Sequence, residues 1–289
     1  MTGDRTTSMP TAATPAEMLE VATRAARAAA EVHRTEAGDL DPAEWDVKGR
    51  SDFVTEVDRE AERRIVEIIH AAFPHDAIQA EEGTGGSAGS DGQPETTTAA
   101  APVRWIVDPL DGTTNWLHGY PEYAVSIAAM DGGGLAAGVV LNSAVDECFD
   151  AVRDGGARRN GEPITVSRIR ALDLALVGTG FPFKRLEILP AYLETFSTVL
   201  RSTSGIRRAG AAALDLCDVA CGRLDAFFEF HLMPWDVAAG GLIVREAGGY
   251  FEPLPVPGLP VEAGELPAGG YVAGTPAVWE AFRALMPSV

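Results

Sequence analysis

The chain is expected to fold as an α+β protein of two packed halves: an antiparallel sheet with two helices, set against a second half of α/β character. Three observations predict this. Before residue 73, apolar side chains recur at helical spacing in two long stretches; from 104 to 152, apolar strand runs are separated by glycine turns; beyond about Ser167, strand runs and helical runs alternate. The halves are expected at 14–166 and 167–289, joined as one compact unit behind a tail of residues 1–13.

Thr, Ala and Pro dominate Met1 to Ala13, a composition that predicts disorder. Thr14-Pro15-Ala16-Glu17 has the form of a capping box with Pro at the first helical position, and Leu19, Ala22, Ala26, Ala29 and Val32 continue one apolar face. A second helix is expected over Arg59 to Ala72, with Ile65, Ile68 and Ile69 inward. Asp76 to Gln79 reads as a strand. The run 83–102, rich in Gly, Ser, Thr and Ala, is expected to be a flexible insertion that serves as a lid or as a passive loop. Strands follow at Arg104 to Val107, Tyr123 to Met130 and Leu135 to Leu141, the last two closing a hairpin across Asp131-Gly132-Gly133-Gly134. Glu147 to Val152 adds an antiparallel strand, and Arg153 to Glu162 is rich in turn residues. The second half reads as a strand at Ala175 to Thr179, a helix at Leu189 to Arg201, a short strand near Ile206, a helix from Ala211 to Gly222, a strand at Leu224 to Glu229 and a helix from Asp236.

Chemistry concentrates in three acidic motifs. Trp105 to Asn115 runs an apolar strand into Asp108 and Asp111, then Gly112, Thr113 and Thr114. Two carboxylates so close repel each other unless one keeps its proton or a divalent cation lies between them. The residues that follow point to the cation, because Gly112 permits close backbone approach and the amides of a following helical turn can bind phosphate oxygens. A second motif, Trp235-Asp236-Val237-Ala238-Ala239-Gly240, opens a helix of small residues that ends at Glu246-Ala247-Gly248-Gly249; the third is Glu81-Glu82. Carboxylates at the ends of separate elements are how oxygen-ligand magnesium sites are assembled.

These three motifs, in this order and at this separation, resemble the inositol monophosphatase family of magnesium-dependent, lithium-sensitive phosphatases, and the resemblance covers about Pro15 to Met286. It implies a layered sugar-phosphatase fold, an αβαβα sandwich, holding two or three Mg2+ ions. By resemblance, Glu81, Asp108 and the Leu110 carbonyl hold one ion, and Asp108, Asp111 and Asp236 a second. Glu81 and Thr113 orient and deprotonate the attacking water, supported by Asp58 and Lys48. Gly112 and Thr113 offer amides to the phosphate; Arg207 to Ala213 and Phe227 to Glu229 build the leaving-alcohol side, where Gly210, Ala211, Ala212 and Glu229, with Asp111 and Asp236, complete the substrate site. Ala211 departs from the family, where Ser or Thr is usual, which leaves the preferred alcohol open.

Duller readings stand beside these. Asp58 and Asp236 can each serve only as helix caps, Glu81-Glu82 as a solvated pair, and Lys48, Arg207 and Arg208 as surface charges. His118 follows the first motif closely enough to approach the site, whereas His33, His70, His75 and His231 read as surface or helix-end residues, and no pair has zinc-ligand spacing. Cys148, Cys217 and Cys221 read as small buried packing residues.

A net charge of -19 at pH 7 argues against nucleic acid or an anionic membrane as a partner. Three cysteines, no leader and no membrane-length apolar run lead us to expect a cytoplasmic protein, and the resemblance implies a homodimer. The expected activity is hydrolysis of inositol monophosphate or a similar polyol phosphate ester by metal-activated water. Two alternatives stand: the same chemistry on histidinol phosphate, fructose 1,6-bisphosphate or phosphoadenosine phosphate, or a non-catalytic regulatory protein stabilised by its metal.

Overall fold

A capping box opens the first helix, α1 (Pro15–Thr35): the Thr14 hydroxyl accepts from the Glu17 amide at 3.3 Å and the Glu17 carboxylate accepts from the Thr14 amide at 2.8 Å. The computed structural model describes residues 13–37, 46–49, 52–54, 56–83, 103–260 and 263–287. Apart from Ala13 and Gly83, the tail 1–13 and the insertion 83–102 lie outside the described residues. Along the chain, α1 is followed by β1 (Asp46–Gly49), β2 (Asp52–Val54), α2 (Glu56–Ala72), β3 (Ala77–Ala80), β4 (Arg104–Asp111) and a short α3 (Thr113–Leu117). An antiparallel run then comprises β5 (Ala124–Asp131), β6 (Gly134–Asn142), β7 (Glu147–Val152), β8 (Gly156–Arg159) and β9 (Glu162–Pro163). The second half carries β10 (Leu176–Thr179), α4 (Leu189–Ser202), β11 (Gly205–Arg207), α5 (Ala212–Ala220), β12 (Ala226–Leu232), α6 (Pro234–Glu246), β13 (Tyr250–Leu254), β14 (Gly269–Gly274) and α7 (Trp279–Arg283).

These elements form five layers, the αβαβα sandwich the resemblance implied. A seven-stranded sheet in chain order, β3 to β9, is antiparallel except for the β3–β4 pair. A five-stranded sheet has the order β11-β10-β12-β14-β13, with β10 parallel to both neighbours and β14 antiparallel to both of its own. One face of the larger sheet packs Trp105, Val107 and Ile127 against α1 and α2. Its other face shares a core with α5, α6 and the smaller sheet, which contributes Phe227, Phe251 and Tyr271. On the far side of the smaller sheet, Phe228 and Phe230 pack with Tyr192 of α4 and Phe282 of α7. Small residues let the middle helices fit between two sheets. A methyl group on Gly240 would meet Leu216 Cβ at 2.8 Å, and one on Gly241 would meet the Phe251 ring at 2.4 Å.

The differences from expectation are local. Met18, Val21 and Ala25 are buried on α1 while Leu19 sits at the margin of the core. The helix α2 starts at Glu56, three residues before Arg59, and Ile68 is only partly buried beside Ile65 and Ile69. The turn-rich segment Arg153 to Glu162 instead supplies β8 and the first residue of β9, extending the sheet edge. His33 is no surface residue: it is fully buried, its Nδ1 lies 2.8 Å from the Ser143 hydroxyl, and burial pulls its pKa down to about 3. Cys148 and Cys217 are buried and Cys221 half-buried, in keeping with packing roles. Among the described residues, no helix is long and apolar enough to cross a membrane.

Candidate active site

Regular pairing of β4 with β5 breaks between Asp108 and Asp111: Asp108 pairs with Ser126 and Asp111 with Ala124, so three steps on one strand face two on the other. This bulge, with Pro109 inside it, re-aims the side chains where a regular strand would alternate them. Asp108 turns one oxygen to the Leu110 amide at 2.9 Å. Asp111 accepts from the Ala213 amide at 2.8 Å, across the interior to the first turn of α5. That helix has no side-chain cap of its own, because Ala211 occupies its N-cap, so Asp111 supplies the acceptor for one of its first amides. Asp236, in the first turn of α6, accepts from the Met233 amide at 2.7 Å. It stands at the third position of α6, whose N-cap is Met233, and it lines the cavity.

A cavity of about 370 Å³ opens where these element ends meet. Glu81, Asp108, Leu110, Asp111, Gly112 and Thr113 line one wall; Gly210, Ala212, Glu229 and Asp236 line another. Ala211 does not reach it. Its side chain is buried, with its Cβ 3.4 Å from where a Cβ on Gly112 would lie. Gly112 itself has φ +89°, and an added Cβ would lie 2.8 Å from the Glu122 carbonyl oxygen, so glycine is the one residue that allows this turn into α3 without strain.

The electrostatics are those of crowded carboxylates. Burial, and then the charges of Glu81, Asp111 and Asp236, push the Asp108 carboxyl well above its ordinary range. Burial and the Asp236 charge push Asp111 up to about 8, opposed by the Ala213 amide and by Arg208 and Lys184. Among the described residues no three acidic side chains close on a single point as ligands of an ion do. The donor set nonetheless fits a hard divalent cation such as Mg2+: every donor is an oxygen, and a cation among these carboxylates would remove the repulsion that raises Asp108 and Asp111.

Asp58 is 1% exposed in the first turn of α2, and its Oδ1 lies 3.1 Å from the Thr113 hydroxyl. The same hydroxyl lies 3.1 Å from the Leu110 carbonyl, and its single proton serves one acceptor at a time. A cap for a helix beginning at Arg59 is thus ruled out for Asp58. The Lys48 backbone lies in β1, but its side chain falls outside the described residues.

On the opposite wall, the Glu229 carboxylate rests against bare backbone at Gly180, where an added Cβ would stand 2.0 Å from Oε1. Burial, then the Asp236 charge, raises Glu229 to about 8, with Arg208 opposing. Arg208 is not a surface salt-bridge residue. It lines the cavity with its guanidinium 5.6 Å from the Phe181 ring centroid and 5.2 Å from that of Phe183. Arg207, exposed as Arg208 is, does not line the cavity and donates to the Ile206 carbonyl. Lys184, Asp215 and His231 also line the cavity without having been expected there, whereas His118 does not line it. The segment Gly178 to Lys184 carries part of this wall, but no periodicity in it marks which residues face inward.

The model of the inositol monophosphatase family matches residues 14–277. The Nus factor SuhB of Pseudomonas aeruginosa is 47% identical over 234 residues, covering 80% of this chain and 83% of that protein. Among solved structures, the extragenic suppressor protein SuhB of Bartonella henselae is similar with TM-score 0.78 and 36% identity, covering 94% of this chain and 99% of that one. Inositol monophosphatase from Anabaena is similar with TM-score 0.76 and 32% identity, covering 93% and 96%. A family match over nearly all the described residues, two-sheet neighbours of the same fold and acidic motifs gathered on one cavity lead to one conclusion: the chain belongs to the inositol monophosphatase family.

Proposed function

We propose that the chain is a magnesium-dependent phosphomonoesterase that hydrolyses inositol monophosphate or a similar polyol phosphate. The observation that carries this reading is the meeting of Glu81, Asp108, Asp111 and Asp236 on a cavity whose other wall holds Glu229. Glu81, Asp108, Asp111, Asp236 and the Leu110 carbonyl would hold the metal. When bound, magnesium lowers the pKa of the attacking water, offsets charge on the phosphoryl oxygens and stabilises the leaving alkoxide. Thr113, held between Asp58 and the Leu110 carbonyl, orients the water with Glu81. The first amides of α3, which have no intrahelical partner, face phosphate oxygens. Arg208 and Lys184 supply the positive charge an acidic chain needs to draw in an anion. Glu229 accepts hydrogen bonds from hydroxyls of the leaving alcohol.

The test is phosphate release from myo-inositol 1-phosphate, histidinol phosphate, fructose 1,6-bisphosphate and phosphoadenosine phosphate, with and without magnesium and with added lithium. We expect magnesium-dependent, lithium-inhibited preference for inositol phosphate. Preference for another substrate replaces the alcohol and keeps the site; no turnover of any refutes the enzymatic reading. A related prediction concerns Gly180→Ala, whose methyl group must displace the Glu229 carboxylate. Overpacking of this kind costs about 1–3 kcal/mol, so KM should rise about tenfold or more while the fold survives. Unaltered KM would remove Glu229 from the alcohol site.

A second reading is favoured by the name of a relative at 47% identity, Nus factor SuhB: a role in transcription that does not depend on turnover. It sits against the expectation of no nucleic-acid partner, although with a net charge of -19 at pH 7 the contact it favours is with protein rather than with a phosphate backbone. Capture of RNA polymerase by both the wild type and Asp108→Asn would support it; capture by neither would dismiss it.

A further inference from the structure

We propose that Asp215 is a second hydroxyl-recognising carboxyl at the alcohol end of the cavity, acting beside Glu229 to select leaving alcohols that carry neighbouring hydroxyls. The proposal rests on the phosphomonoesterase reading and deepens it.

The strand β10 prepares the place. Alternation turns Thr179 to one face of the sheet, where its hydroxyl lies 3.1 Å from that of Tyr192 on α4. Gly178 and Gly180 therefore share the other face, and both are bare. An added Cβ at Gly178 would meet Leu224 Cδ1 at 2.8 Å, the Phe227 ring at 3.3 Å and Asp215 Cγ at 3.5 Å, and one at Gly180 would lie 2.1 Å from Glu229 Cδ. Residues two apart along extended backbone are separated by about 7 Å, so the two carboxyl groups, delivered by α5 and β12, stand near each other at that scale where β10 ends. That spacing is of the order of a six-membered ring with its substituents, and both groups line the same cavity.

Asp215 and Glu229 differ from the acids of the three motifs and from Asp225. Asp108, Asp111 and Asp236 each accept a backbone amide. Asp225, equally remote from solvent, binds the Ser167 hydroxyl and the Leu176 amide, which explains its burial by structure alone. The Asp215 carboxyl is 2% exposed, has no hydrogen-bond partner among the described residues, and lines the cavity. A buried carboxyl without a partner is costly to the fold, and a ligand hydroxyl is the group that satisfies it. A site built to pair a hydroxyl rejects analogues lacking it far more strongly than an apolar wall rejects a missing methylene, because the buried acceptor is then left unpaired.

The test compares wild type, Asp215→Ala and the isosteric Asp215→Asn, with magnesium, on myo-inositol 1-phosphate and p-nitrophenyl phosphate, an ester without ring hydroxyls. The quantity read is the ratio of the two kcat/KM values. It should fall about tenfold or more in Asp215→Ala and less in Asp215→Asn, which keeps one acceptor oxygen. A ratio within twofold of wild type in both variants overturns the proposal, because a merely structural role lowers both substrates together. Should Asp215→Ala fail to fold, the ratio in Asp215→Asn decides. Saturation-transfer NMR with free myo-inositol, using cyclohexanol as control, gives an answer independent of turnover. If wild type hydrolyses neither ester, the phosphomonoesterase reading fails, and the NMR decides on Asp215: a myo-inositol signal that weakens in the variants supports its role, while an equal signal or none in wild type overturns it.

Discussion

Asp108→Asn is expected to lower kcat/KM on the phosphate ester by about 10³-fold or more, on the order of 4 kcal/mol of lost transition-state stabilisation, while making the metal-free chain more stable. Asp108 is 1% exposed and is expected to take part in binding both ions, so its loss removes a shared anchor rather than one ligand among several. Without metal the same carboxylate works against the fold. Burial and three neighbouring carboxylates disfavour its charged form, and a neutral isostere removes that penalty. Each kcal/mol recovered moves the midpoint by about 2–4 °C in a chain of this general size. In excess magnesium the order reverses, because wild type gains the free energy of ion binding and the variant does not. Scanning calorimetry of both proteins with chelator and with magnesium would display the crossing. A variant less stable than wild type in chelator would show that the carboxylate cluster is not strained, and active Asp108→Asn would end the metal mechanism.

The second large effect is a pH dependence opposite to that of ordinary salt-bridged carboxylates. In the folded chain Asp111 keeps its proton up to about pH 8, against 3.8 for a free aspartate, and Glu229 likewise to about 8 against 4.5. Between those limits the folded chain binds protons that the unfolded chain has released. Its stability is therefore greatest near the lower limit and declines as pH rises, by at most about 1.4 kcal/mol per pH unit for each such proton. Asp108 adds to the decline in the same direction. Asp131, whose pKa Arg153 lowers, acts in the opposite sense as pH falls through the acid range, and so does buried His33, held at about 3 against 6.5, below about pH 6.5; the three raised carboxyls outweigh it. Urea unfolding at pH 5, 6, 7 and 8 should thus show the metal-free protein weakening steadily, with the slope flattened by magnesium, which holds the carboxylates ionised. A metal-free stability that is flat or rising over this range would contradict the crowding of the site.

What was readable in advance divides along physical lines. Periodicity located α1, α2 and the antiparallel strands β5 to β7, because long apolar runs between glycine turns leave little choice of element. The acidic motifs marked the cavity because carboxylates at element ends have few structural uses. The C-terminal strands were not legible. In β14 the sequence Gly-Gly-Tyr-Val-Ala-Gly resembles a loop, yet Gly270 is needed there because a side chain would strike the Leu254 carbonyl at 2.6 Å and Val256 at 2.5 Å. Such a requirement comes from a neighbour far along the chain and leaves no local trace. The same holds for Asp215, which gains meaning from Gly178 and Glu229 rather than from adjacent residues, whereas the segment carrying Arg208 was expected at the alcohol end and Arg208 does line the cavity. His33 illustrates the converse: a polar residue at a helix end looked solvated, and the Ser143 hydroxyl that makes its burial tolerable lies 110 residues away.

The middle layer of α5 and α6 belongs to both sheets at once, and so does the hydrogen bond from Ala213 to Asp111 that crosses it. Neither half of the chain could therefore be severed from the other and keep a finished interior, since each would expose the surface that these two helices seal. Competence for ligand then draws on both halves at once, because Asp111 from the larger sheet is held by an amide of the layer that the smaller sheet covers.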